Sequence, residues 1–202
     1  MASGSNPSIE RYAARQLTMH LINQRAIAMT KKTTPVRRSE RLSELPTGVA
    51  TARVTGAAQR SPELDRLNVF IGRWITEGET AGSAEVPPAR ILASDVYNWA
   101  PGGHFVMHPA YGRIGPIEVG GLEVIGYDSA TGQYQTHFFD SQGNTATQTL
   151  SCRDGVWTWQ GARTRCTGVF TDGGKTLTAR HERCDDGKHW VPSMTVTIRK
   201  ID

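Results

Sequence analysis

Short β-type segments separated by tight turn signals dominate the chain from residue 71 to its end. Asp-Gly and Gly-Gly pairs, such as Asp154-Gly155 and Gly173-Gly174, supply the positive φ angles that hairpin turns require. The segments between them are rich in Val, Ile, Thr and aromatic residues, a composition typical of strands. We predict one helical turn or more at 63–70 and strands at about 71–80, 90–99, 103–111, 117–127, 133–140, 145–152, 156–163, 166–171, 176–184 and 190–200.

The connections between these segments restrict the topology. Parallel pairing needs crossovers of a dozen or more residues, and none of the predicted connections is that long. The sequence therefore predicts an all-β, antiparallel, up-and-down arrangement of nine or ten strands. A sheet of that size tends to curl, and closure into a barrel removes its exposed edges, with a two-sheet sandwich as the alternative.

Charge divides the chain into two parts. Residues 1–60 hold 10 Lys+Arg and 3 Asp+Glu, a net of +7, whereas residues 61–202 hold 13 and 16, a net of −3. We therefore predict a basic N-terminal extension at 1–60, mostly irregular, and a barrel domain at 61–202. The acidic balance of the second part removes the main electrostatic support for nucleic-acid binding there.

Within the extension, apolar residues at helical spacing between Ser8 and Met29 suggest a short amphipathic helix, followed by a linker. The same stretch is rich in Arg and nearly free of acids, as organelle-targeting peptides are, and Met29 is an alternative natural start. No apolar run approaches the roughly 20 residues of a membrane span. Three cysteines without CxxC spacing predict reduced thiols and a cytoplasmic location.

Two motifs in the β region resemble a known family. Leu67, Phe70, Gly72 and Trp74 resemble the entry of lipocalin-like (calycin) barrels, in which a Gly-x-Trp begins the first strand. The segment from Gly126-Tyr127-Asp128 to Asp140-Ser141 resembles a bacterial family of uncharacterised lipocalin-like domains. The resemblance covers residues 64–200 and implies a lipocalin-like barrel with an internal cavity, without fixing an activity.

The nitrobindins are a related group that binds heme through a histidine in the final strand. Here the final strand carries no histidine after His189, which argues against heme. We predict no cofactor.

Strand alternation predicts that the interior is mixed rather than uniformly apolar. Aromatic residues among a few polar groups are characteristic of a small-molecule pocket, so we predict a site for a small, mainly apolar molecule. The candidate ligand-binding residues are Tyr97, Trp99, Phe105, His108, Tyr127, Phe139, Trp159 and His181. The alternative is that the polar residues face solvent and that the barrel is a filled scaffold acting through its N-terminal arm or as a homodimer.

An enzyme is the second hypothesis. His137 or His104 would act as a general base, polarised by Asp140 or Glu123, in a cofactor-independent isomerase, cyclase or hydratase. No nucleophile, phosphate-loop or dinucleotide motif is present. No metal site is expected, because His104 and His108 would lie about 13 Å apart along an extended strand.

Overall fold

The computed structural model describes residues 59–83 and 85–202. The predicted amphipathic helix, the linker and the alternative start at Met29 lie outside these residues. A 3₁₀ helix, Pro62–Val69, precedes ten strands: β1 Gly72–Thr80, β2 Arg90–Trp99, β3 Phe105–Ile114, β4 Ile117–Asp128, β5 Gln133–Asp140, β6 Thr145–Arg153, β7 Val156–Gln160, β8 Thr164–Thr171, β9 Thr176–Arg183 and β10 Val191–Lys200. A second 3₁₀ turn, Asp172–Gly174, joins β8 to β9.

Each strand pairs antiparallel with its neighbours in sequence, and β1 pairs with β10 to close the barrel. The predicted up-and-down barrel is confirmed, and the two-sheet alternative is wrong. Strand β7 ends at Gln160, three residues earlier than predicted, and β8 begins at Thr164. Gly161 there donates its N–H to the carbonyl of Thr164, which forms a tight turn where the sequence suggested continuous strand.

The first 3₁₀ helix seals one end of the barrel. Pro62 is its first residue, where a missing N–H costs nothing. Leu64, Leu67 and Phe70 are buried. Two side-chain hydrogen bonds attach this segment to the barrel: Tyr134 Oη donates to the carbonyl of Glu63 at 2.6 Å, and Trp74 Nε1 to that of Phe70 at 2.7 Å. The aromatic core packs directly on this segment.

Alternation along the strands produces two different outer surfaces. On β6 to β10 the outward positions are mainly threonine and arginine, and most inward positions are apolar, such as Trp157, Leu177 and Val196. On β2 to β5 several outward positions are large and apolar, and the inward positions include charged groups. Within the part of the chain that the structure describes, no helix has the length and apolar character that crossing a bilayer requires.

Candidate functional site

Three neighbouring strands bring ionisable side chains together inside the barrel. His108 on β3 lies directly opposite Glu123 on β4. On the other side of β3, Asp95 of β2 pairs with Ala110, and Asn98 pairs with Met107. This register places Tyr97 directly opposite His108. Asp95 is two residues before Tyr97 and therefore shares its inward face. The register of β2, β3 and β4 thus places one carboxylate on each side of the His108 imidazole.

Hydrogen bonds join these groups into one network. His108 Nε2 lies 3.0 Å from Oδ1 of Asp95, and His108 Nδ1 lies 3.0 Å from Oε2 of Glu123. The second oxygen of each carboxylate also has a donor. Thr76 Oγ1 donates to Oδ2 of Asp95 at 2.5 Å, and Trp159 Nε1 donates to Oε1 of Glu123 at 3.2 Å. The network therefore spans β1, β2, β3, β4 and β7.

The proton content of the network follows from its geometry. Each of the two N···O contacts of His108 needs one proton, whereas the oxygens facing Thr76 and Trp159 need none. Two protons shared by an imidazole and two carboxylates leave a net charge of −1. Burial favours the neutral imidazole, but the hydrogen bonds and negative charges of Asp95 and Glu123 prevail and raise the pKa of His108 to about 9.

The surroundings of the network are aromatic. The ring of Tyr97 stacks on that of His108 with centroids 3.7 Å apart and planes at 12°. Phe70 lies against Tyr97 and makes edge contacts with Trp157 and Trp159 at centroid distances of 4.8 and 5.7 Å. Burial, followed by the charges of Glu123 and Asp95, raises the pKa of the Tyr97 hydroxyl well above its usual value. An electron-rich aromatic wall therefore borders the charged groups.

One buried hydroxyl next to the network is unpartnered. Thr136 on β5 is 1% exposed, and its Oγ1 has no hydrogen-bond partner. Thr136 pairs with Ile125 while Glu123 pairs with Phe138, so Thr136 and Glu123 are diagonal neighbours on the inner face. Buried hydroxyls in folded proteins are normally hydrogen-bonded, because leaving one without a partner costs about 1–3 kcal/mol. A hydrogen bond between Thr136 and a bound molecule would remove this cost.

A thiol and a second histidine lie beside Trp159. Cys166 on β8 is the cross-strand partner of Trp159 and of His181, and its Sγ lies 3.5 Å from His181 Nε2. Burial, with a smaller contribution from the charge of Glu123, raises the pKa of the Cys166 thiol. The thiol therefore stays protonated and does not have the thiolate character of a nucleophile.

The arrangement is not that of a metal centre. The imidazole lies between the two carboxylates, so the three groups do not converge on one point. Among residues 59–83 and 85–202, no three His, Cys, Asp or Glu side chains are placed to hold a metal ion.

The structure brings together four of the residues chosen from the sequence and distributes the others. Tyr97, His108, Glu123 and Trp159 meet in the network. His181 is half-buried beside Cys166, and Tyr127 packs edge-on against Tyr134 at 5.2 Å. Trp99 is half-buried, and its Nε1 donates to Asn68 Oδ1 at 2.9 Å.

The remaining chosen residues lie away from the network. His137, Phe105 and Phe139 are exposed on the outer face, the last two at 52% and 47%. Asp140 accepts hydrogen bonds from the backbone N–H groups of Gln142 and Asn144 and so stabilises the β5–β6 turn. His104 is half-buried in the turn before β3. Of the four residues predicted as catalytic, Glu123 is the one that lies in the network, where its carboxylate contacts His108.

Sequence reasoning missed Asp95, Thr76, Cys166 and Thr136. A signal for Asp95 was available, since it precedes Tyr97 by two residues and alternation places both on one face. Thr76 is likewise two residues after Trp74 in the entry motif. Without knowing which face points inward, the alternation alone does not separate these residues from ordinary solvent-facing ones.

Comparison with known proteins gives a family and a fold. Residues 59–197 match the model of a family described as "Protein of unknown function (DUF1579)". No curated protein matches the sequence. The crystal structure of Rv2717c from M. tuberculosis is similar with a TM-score of 0.53 at 12% identity, over 71% of this chain and 99% of that one, which supports the barrel fold.

Two further solved structures match with TM-scores below 0.5. A de novo designed fluorescence-activating β-barrel is 14% identical with a TM-score of 0.38, over 67% of this chain and 97% of that one. The S-type phycobiliprotein lyase CPES from Guillardia theta is 8% identical with a TM-score of 0.41, over 72% and 96%. The family model covers well over half of the chain, so the chain belongs to the DUF1579 family, and the resemblance to an uncharacterised barrel family is confirmed.

Proposed function

We propose that this member of the DUF1579 family binds a small molecule inside its barrel, with Asp95, His108 and Glu123 as the polar anchor of the site. The observation that carries the proposal is the buried network in which His108 lies within 3.0 Å of two carboxylates. Well-packed apolar residues of similar volume often stabilise a core as well as a buried ion cluster does, or better. Packing alone therefore gives little reason for the cluster, and strongly perturbed ionisable groups concentrate at functional sites.

The chemistry of the site favours a particular kind of ligand. An ionised carboxylate has about four acceptor positions, and the bonds described use two on each of Asp95 and Glu123. The carboxylates therefore have unused acceptor positions, and those of Glu123 lie beside the unpartnered hydroxyl of Thr136 and near aromatic rings. A mainly apolar molecule with one N–H donor group, best a cationic amine beside Tyr97 and Trp159, matches these features.

The first experiment is native mass spectrometry of the full chain purified from its natural host, to detect a retained ligand. Thermal unfolding is then measured with 2-phenylethylamine, 2-phenylethanol and 3-phenylpropionate, which share an aromatic body and differ in charge. We expect a retained ligand, or a rise in Tm with the amine that exceeds the rise with the carboxylate. Glu123→Gln should weaken this binding at least tenfold, whereas Glu118→Gln, an exposed carboxylate on the same strand, should not. No retained ligand and no probe-dependent shift would refute the proposal.

A second candidate is acid–base catalysis on the bound molecule, such as isomerisation, cyclisation or hydration. It is favoured by the contact of His108 with two carboxylates at 3.0 Å each. Because the pKa of His108 is raised to about 9, the imidazole is protonated at neutral pH and would act as the acid, with a carboxylate as the base. The test is deuterium incorporation into the retained ligand in D₂O. Wild-type protein should catalyse exchange and His108→Gln should not, and a ligand that never exchanges would leave binding as the function.

A further inference from the structure

The outer surface of β2 to β5 carries a continuous apolar region, which we call the apolar outer face. Its outward side chains are exposed or half-buried and contain three aromatic rings. The members are Leu92, Val96, Phe105, Met107, Pro109, Tyr111, Leu122, Val124 and Phe139. The register makes the region continuous, since Met107 pairs with Val124, and Leu122 lies between Pro109 on β3 and Phe139 on β5.

The rest of the barrel provides an internal comparison. On β6 to β10, the outward positions are mainly Thr, with Arg180, Glu182 and Arg199 among them, as expected for a surface in contact with water. On the apolar outer face, the outward positions at 92–98, 105–111, 120–126 and 135–139 include no Asp, Glu, Lys or Arg. Two opposite charges border it, because Arg113 pairs with Leu92 and Glu118 hydrogen-bonds to Tyr111. Enrichment in aromatic residues and Met with depletion of charge is the compositional signature of an interface core.

The exposed area matches what an interface requires. At about 200 Å² for each aromatic side chain, exposed fractions of 52%, 59% and 47% for Phe105, Tyr111 and Phe139 give about 300 Å². Leu92 and Met107, at 41% and 36%, add to this area together with the half-buried members. A stable interface buries about 800 Å² per partner, of which about 56–65% is apolar, or roughly 450–520 Å². The apolar outer face supplies most of that requirement.

We propose that the apolar outer face is the interface of a homodimer, in which the same face of a second copy of this chain covers it. A two-fold axis brings each residue of such a face near its own counterpart or its neighbours. A face with net charge would repel its own copy, whereas this one carries no formal charge at the positions described above. The aromatic rings are also supported from beneath, since Phe105 lies over Gly126 and Tyr111 over Gly120, where an added Cβ would approach the rings at 2.8 and 3.4 Å. These flat rings form a firm surface for face-to-face packing.

The test is the mass of the full chain in solution, measured by sedimentation equilibrium from about 1 to 100 μM. We expect a dimer for the wild type. Phe105→Glu and Phe139→Glu should each weaken dimerisation by at least about 30-fold, because a central interface position typically has an effect of that size. Val169→Glu is the matched control. Val169 is 43% exposed on the outer surface of β8, away from the apolar outer face, and its replacement should leave the dimer intact.

Two further measurements make the test decisive. Circular dichroism shows whether each variant retains its strand content, so that loss of dimer is not loss of fold. Met107→Cys should form an intermolecular disulfide under mild oxidation, whereas Val169→Cys should not. A wild type that is monomeric at 100 μM overturns the proposal, as does a dimer that Phe105→Glu and Phe139→Glu leave unchanged. Flotation of a monomeric wild type with phosphatidylcholine vesicles would assign the face to lipid instead and would also overturn it.

Discussion

The buried imidazole of His108 makes the stability of the barrel depend on pH in a window that can be calculated. Its pKa is about 9 in the folded protein and about 6.5 in an unfolded chain, so the folded state binds the proton more tightly. A raised pKa stabilises the fold fully below about pH 6.5, and the stabilisation disappears as the pH rises through 9. A difference of about 2.5 pKa units corresponds to about 3 kcal/mol at low pH, falling to about 1.4 kcal/mol at pH 8 and below 0.5 kcal/mol at pH 9.

The assay is equilibrium unfolding in urea, followed by tryptophan fluorescence, between about pH 5.5 and 7.5. This range lies about one unit or more below the usual pKa values of thiols and phenols, so Cys166 and Tyr97 stay protonated in both states. The free energy of unfolding should fall by about 1.3 kcal/mol from pH 5.5 to pH 7.5 in the wild type. His104→Gln, which removes the half-buried histidine in the turn before β3, should show the same fall.

Removing the imidazole tests the same arrangement. His108→Gln should lower the stability at pH 6, because two buried carboxylates lose their shared partner and must take up protons to remain buried. If that variant is too unstable to measure, an NMR titration of the His108 ring in the wild type gives the same information directly. A free energy of unfolding that is flat with pH, or a His108 ring that titrates near 6.5, would refute the proton arrangement derived from the two 3.0 Å contacts.

Three substitutions test other parts of the interior by urea unfolding. Thr136→Val should stabilise the ligand-free protein by about 1 kcal/mol, because it replaces an unpartnered buried hydroxyl by a methyl group of the same shape, and a loss of stability would show that the hydroxyl is bonded. Trp159→Phe should destabilise by about 2 kcal/mol, since Glu123 loses a donor and the core loses ring volume, and an unchanged midpoint would contradict the hydrogen bond. Tyr134→Phe should cost about 1 kcal/mol and increase protease cleavage near Glu63, because the hydroxyl attaches the 3₁₀ helix to the barrel, and equal cleavage of both proteins would contradict that role.

The fold could be predicted from the sequence because its determinants are local. The Asp154-Gly155 pair adopts φ values of 51° and 79°, both positive as a type I′ hairpin turn requires, and this dipeptide signals the turn by itself. Short connections of this kind leave only antiparallel neighbours, and ten such strands close. The boundary between β7 and β8 was harder to predict than the other strand ends. The turn at Gly161 is closed by a backbone hydrogen bond to Thr164 and contains no characteristic turn dipeptide.

The site could be predicted only in part because its members come from separate strands. Glu123 and His108 were recognisable as polar residues in strands, but their pairing depends on the register of β3 and β4. Asp95 and Thr76 join the network through β2 and β1, and no local pattern marks either as a partner of His108. The strand of His137 has an aromatic residue on each face, Phe138 and Phe139, so alternation did not reveal which face points inward.

That ambiguity on β2 to β5 has a physical origin that connects the two proposals. On β3 the inward side carries His108 between the buried apolar residues Val106 and Ile114. The outward side presents Phe105, Met107 and Tyr111 at positions that are usually polar on a strand in contact with water. On β8 and β9, where the outward side is polar, alternation follows the usual rule. Sequences depart from local rules mainly where function requires it. Both departures, the charged groups inside and the apolar face outside, involve β2, β3 and β4. The two proposed contacts are therefore separated by a single thickness of sheet, and substitutions that alter the packing of β3 are the ones expected to affect ligand binding and dimerisation together.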